Sequence, residues 1–209
     1  TTRAAAVVVD HRCTDLSRIP REAIENAKQR LHIAYGHTSH GSQLTTGMTG
    51  LVGFAGSRYA WNAGGTDGAL DLRDRPFTGA ADLGNPNRTA WEAATRAYLA
   101  DHPDVNVIIW SWCGQVSSAS PADIDLYLGL MNGLEADFPG VTFVYMTGHL
   151  DGTGLDGNLH LRNEQIRAYC RAHGKVLYDF ADIETYDPDG VDYGARIPND
   201  ACDYDSDGD

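Results

Sequence analysis

The chain has no apolar run near the roughly 18 residues that a membrane helix needs, so no span is expected. Its first residues, Thr1-Thr2-Arg3 before Ala4 to Val9, are too short for a secretion signal. An exported form is therefore expected to have lost its signal already. Basic residues are scarce: 16 Lys and Arg stand against 29 Asp and Glu, a formal charge of −13. Such a surface repels phosphate backbones and anionic lipid, so neither nucleic acid nor a membrane is an expected partner. Cysteine is limited to Cys13, Cys113, Cys170 and Cys202, with no Cys-x-x-Cys spacing and no zinc-like pairing with histidine. Two readings of these cysteines stay open, disulfides in an exported protein and free buried thiols. No internal repeat is present, and low complexity is confined to the last few residues.

What is present suits one large domain of 209 residues with a sizeable core. Ser17-Arg18-Ile19-Pro20 reads as a helix entry, with Ile24, Ala27 and Leu31 recurring on one face. A short strand, His32 to Tyr35, follows, and Gly47 to Pro86 reads as mostly irregular. Thr89 is expected to cap a helix to about Ala100, and Val105 to Trp110 is a buried-strand run. Ser120-Pro121-Ala122-Asp123 is a capping box that opens a helix to about Phe138. Val141 to Met146 is the next strand, Asn158 to His173 a helix closed by Gly174, and Val176 to Phe180 a further strand. This alternation predicts an α/β fold: a three-layer α/β/α sandwich with a mainly parallel central sheet, over residues 1–184. Residues 185–209 turn to Asp, Gly, Pro and Tyr and predict an acidic tail or long loop.

Chemistry concentrates in Gly36-His37-Thr38-Ser39-His40-Gly41-Ser42-Gln43, directly behind the strand at His32 and ahead of a Gly-rich run that could start a helix. The end of a strand in an open α/β sheet is where such folds build their sites. Small residues there permit a sharp turn, hydroxyls offer a nucleophile, and imidazoles offer bases or metal ligands.

Three ordered blocks carry a resemblance. The Ser39 turn, the loop Asn62-Ala63-Gly64-Gly65 and the segment Trp112-Cys113-Gly114-Gln115 resemble the blocks of the SGNH, or GDSL-like, hydrolases, over roughly Leu31 to Glu184. The resemblance implies that Ser39 is the nucleophile, that Gly64 or Gly65 is an oxyanion donor, and that Gln115 stands in for the family's Asn. A serine hydroxyl needs a base to take its proton, and the tetrahedral intermediate needs preorganised donors. The Gly114 backbone N–H with the Gln115 carboxamide would supply such a pair. The chain departs from the family in having Thr38-Ser39-His40 in place of Gly-Asp-Ser, and Gln in place of Asn. It also has no histidine from Glu184 to residue 209, where the family's Asp-x-x-His belongs. Either a further C-terminal segment carries that histidine, or the fold does no acyl transfer.

His149, in Thr147-Gly148-His149-Leu150-Asp151 behind a predicted strand, would face the same sheet edge as Ser39 and is the candidate substitute base. His37 and His40 flank Ser39 and are candidate substrate contacts, as is Trp112 beside Cys113-Gly114. His37 or His40 with His149 and Asp151 could also ligate a metal. Asp203, Asp205, Asp207 and Asp209, with Gly208, have the register of the first half of a calcium loop, the alternative being a solvated acidic tail. The expected protein is a secreted or cell-surface serine esterase acting on a small-molecule or glycan ester, an acetylated glycan included, with no cofactor for catalysis. Its association as a homo-oligomer stays open. The competing reading is a non-catalytic surface or binding protein with a calcium-ordered acidic tail.

Overall fold

The computed structural model describes residues 5–200. Seven strands form one sheet: β1 (Val7–Val9), β2 (His32–Gly36), β3 (Trp61–Asn62), β4 (Leu70–Asp74), β5 (Val107–Trp110), β6 (Thr142–Met146) and β7 (Val176–Tyr178). Every pairing is parallel, in the order β1-β7-β6-β5-β2-β4-β3. Among the described residues the α-helices are α1 (Arg21–Arg30), α2 (Ser42–Ala55), α3 (Ala90–Asp101), α4 (Pro121–Asp137), α5 (Asn158–His173) and α6 (Phe180–Thr185).

The sheet sits between two helical layers because its side chains alternate. Ala34, Ile108 and Trp110 face α3, α4 and α5, where Trp91, Leu99, Tyr127, Met131 and Ile166 complete the larger core. Ile33 and Val107 face the other way, with Met48 of α2, while Tyr35 and Met146 meet Leu44 and Phe180. The expected α/β sandwich is thus the observed one, and its sheet is wholly parallel.

Local signals act as the sequence predicts at several ends. Ser120 Oγ accepts the Asp123 N–H and Asp123 returns the bond to Ser120 N–H, so α4 begins with a complete capping box. Gly174 closes α5 in the left-handed region, φ 62°. At α3 the capping residue differs: Thr89 makes no side-chain cap, and Asn87 Oδ1 instead accepts the Thr89 and Ala90 N–H groups. Residues 47–86, read as mostly irregular, contain most of α2 together with β3 and β4. The stretch from 185, read as an acidic tail or long loop, is partly packed. A bridge joins Tyr186 to Asp192, Tyr193 N–H donates to the Thr185 carbonyl, and Pro198 is buried.

Candidate functional site

The order in which strands are added reverses between β2 and β5, although the two strands run parallel. From β2 the chain passes to the edge strand β3 and back to β4 on one side, then crosses to β5, β6 and β7 on the other. Crevices outside the strand ends at such a reversal are where open α/β sheets bind ligands. β2 and β5 lie close there because Gly36 has no side chain; a Cβ would stand 2.3 Å from the Trp110 ring.

Beyond Gly36 the chain turns sharply. Ser39 has φ 45°, a left-handed conformation that is strained for a residue with a Cβ. A single 3-10 turn, Ser39–Gly41, then runs straight into α2. Gly41 makes this possible, since a Cβ there would lie 2.2 Å from Ser111 Oγ. Ser39 therefore sits on a strained strand-to-helix turn, ahead of a 14-residue helix whose first N–H groups favour negative charge. That is the backbone setting in which α/β enzymes expose a nucleophilic hydroxyl.

Ser39 Oγ donates to Asp200, 2.8 Å from each carboxylate oxygen. The same carboxylate lies 2.7 Å from His40 Nδ1, and His40 Nε2 is 3.0 Å from the Pro198 carbonyl oxygen. Both ring nitrogens of His40 face acceptor oxygens. Gln43 Nε2 donates to the Asn199 carbonyl at 3.2 Å. Residues 198–200 are thereby strapped across Ser39, His40 and the start of α2.

His149 stacks on His40, with ring centroids 3.6 Å apart and planes within 2°. Its Nδ1 donates to the Leu150 carbonyl at 2.8 Å, which leaves the lone pair on Nε2. Burial, then the neighbouring His40, pushes the His149 pKa below the usual 6.5, against weaker pulls from the Leu150 carbonyl, Asp200 and Asp151. The ring is a neutral base at pH 7.

No family model and no curated protein matches this chain.

Of the residues singled out in the sequence, the fold brings Ser39, His40 and His149 together. Gly114 begins a 3-10 turn, Gly114–Ser118, behind β5, so its N–H has no acceptor within that turn. Gln115 is engaged elsewhere: its Oε1 accepts the Cys113 N–H and its Nε2 donates to Asp82 Oδ1 at 3.0 Å. The fold does not bring Gly65 to Ser39. The neighbouring Gly64 N–H donates to Asp71, and Asp71 pairs with His32 at the opposite end of β2. Trp112 does not line the crevice: it is 1% exposed, packs on Tyr127 and donates its indole N–H to the Met146 carbonyl. His37 is 2% exposed, stacks on Tyr35 and directs Nε2 to Asp74 Oδ1 at 2.6 Å, so it offers substrate no open edge. Burial lowers its pKa, against the opposing Asp74 hydrogen bond.

Among the described residues, Asp10, His11 and Asp182 converge, as do His32, Asp71 and Asp104; His37, His40, His149 and Asp151 form no such group. Asp10 already holds the Arg12 guanidinium, and Arg73 bridges Asp71 and Asp104, so neither group is a bare set of ligands. Cys13, Cys113 and Cys170 are free thiols. The calcium candidates Asp203, Asp205, Asp207 and Asp209, with Cys202, lie outside the described residues.

Two site residues escaped the sequence reading. Asp82, buried, accepts from Thr38 Oγ1, the Gly84 N–H and Gln115, and so knots three loops at the sheet edge. Its only local signal is the Asp-Leu-Gly turn. Asp200 is 161 residues from Ser39, and no local signal marks it.

Proposed function

We propose that this chain is a serine esterase of the SGNH kind, exported, with Ser39 as nucleophile and His149 as its base, and an ester such as an acetylated glycan as substrate. One observation carries the reading: Ser39 stands on a strained strand-to-helix turn, and the next residue, His40, stacks on His149, a neutral imidazole with its lone pair on Nε2. Substrate displaces Asp200 from the Ser39 hydroxyl. Ser39 Oγ then attacks the acyl carbon while His149 Nε2 accepts the hydroxyl proton and returns it to the leaving alcohol. Water attacks the acyl-serine, again losing its proton to His149, and Ser39 is restored. Main-chain N–H groups of the turns beginning at Ser39 and Gly114 are the candidate oxyanion donors. No metal or cofactor is required for these steps.

Turnover of p-nitrophenyl acetate by the chain and by Ser39→Ala tests this. The variant is expected at background; equal, background-level rates in both forms overturn the esterase reading. The strap over Ser39 and His40 favours a second reading, a non-catalytic binding protein whose crevice is filled by its own chain. Equal rates would leave that reading standing.

A further inference from the structure

The segment that carries His149 off the end of β6 is held at every residue. Thr147 Oγ1 donates to Asp179 Oδ1 at 3.0 Å and accepts the Ala181 N–H at 3.0 Å. Asp179 is clamped by Arg167 through Nε and a terminal nitrogen, each at 2.7 Å. Gly148 donates its N–H to Asn163 Oδ1 at 2.9 Å, and its carbonyl accepts from Asn163 Nδ2 at 3.0 Å. His149 is tied to the Leu150 carbonyl, and the Leu150 N–H donates to Glu184 Oε2 at 2.8 Å.

Glu184 differs from the other holds in chemical cost. It is 8% exposed, and burial pushes its carboxyl up to about 7, opposed by the Leu150 N–H. An apolar side chain would fill this volume, and a neutral amide would accept the Leu150 N–H, without the cost of burying a carboxyl. A carboxyl kept in such a place, one peptide from the base, points to use of the site and not to packing.

We propose that Glu184 is a positioning residue for His149, acting through Leu150; this rests on the reading of His149 as the base. Glu184 fixes the Leu150 amide, so the Leu150 carbonyl stays where His149 Nδ1–H can reach it. The proton is thus kept on Nδ1 and the lone pair on Nε2. Without the hold, the loop from Leu150 onward is free to turn, and the ring loses the bond that selects its tautomer.

The test combines kinetics with nitrogen NMR of labelled imidazole. Glu184→Leu is expected to give mixed His149 tautomers and a kcat lower by about 10- to 100-fold, with KM within about twofold. Glu184→Gln, which keeps an acceptor for the Leu150 N–H, is expected to restore the Nδ1–H tautomer and most of kcat. A Glu184→Leu protein with an unchanged tautomer overturns the proposal. Should that variant not fold, the unmutated chain decides: the Leu150 amide proton is expected to titrate in step with the Glu184 carboxyl carbon. A stationary amide between about pH 5 and 9 overturns the proposal. These NMR readouts need no turnover, so a failed esterase reading and a failed Glu184 role are told apart.

Discussion

At the scale of single residues the site is built from groups kept out of their ordinary states. Ser39 is held in a left-handed conformation, His149 is held neutral by burial and by His40, and Glu184 is held near its protonation midpoint by burial. Each costs stability, which is the signature of a site rather than of a core. Glu184 makes this measurable through pH. Its folded pKa, about 7, lies above the ordinary 4.5, so between those values the native state keeps a proton that the unfolded chain has lost. Its contribution is therefore fullest below about pH 4.5 and is lost as pH rises through about 7. That interval corresponds to roughly 3 kcal/mol. Glu184→Gln, which cannot ionise, is expected to gain on the unmutated chain by up to that amount between pH 4.5 and 8. Urea unfolding at the two pH values measures it, and an identical difference at both would show that the folded pKa of Glu184 is not raised above its unfolded value.

At the scale of elements, what could be read in the sequence followed from how local the cause was. The capping box at Ser120, the Gly174 stop and the apolar runs of β5 and β6 are each settled by a few neighbouring residues, and each stands where expected. β4 was missed because Leu70-Asp71-Leu72-Arg73-Asp74 reads as a charged stretch. Its charges are answered only in three dimensions, Asp71 by His32 and Arg73, and Asp74 by His37. α2 was legible only as a Gly-rich run that could start a helix, and its extent was not, because its glycines lower helix propensity. Those glycines give a prediction. Gly50 lies inside α2, with nothing within 4 Å of where a Cβ would stand. Gly50→Ala should stabilise the protein by about 0.5–1 kcal/mol, through the smaller entropy lost on ordering alanine. In a chain of this size that is a rise in Tm of about 1–4 °C. A fall in Tm would mean that α2 needs Gly50 for a contact beyond the described residues.

At the scale of the whole molecule, the crevice is assembled from both ends of the chain. Ser39 and His40 come from the second strand, His149 from the sixth, and Asp200 from residues that follow the last helix. Sequence order legibly gave the first two, because strand-end chemistry is local and a parallel sheet brings its strand ends together. It could not give the third, because the path from Thr185 back across the sheet depends on scattered contacts such as Tyr193 N–H to Thr185 and Ile197 against Gly152. Asp200 and substrate compete for the same hydroxyl in the proposed reaction, so the strap should slow any reagent that attacks Ser39. The size of that effect is bounded by exposure. The Asp200 side chain is 57% exposed, and a pair so open to water contributes at most about 1 kcal/mol, a factor of roughly 5. Asp200→Ala is accordingly expected to be phosphorylated at Ser39 by diethyl p-nitrophenyl phosphate about two- to fivefold faster than the unmutated chain. A slower reaction in Asp200→Ala would mean that Asp200 activates the hydroxyl it binds, making the strap part of the catalytic apparatus and not a competitor for it.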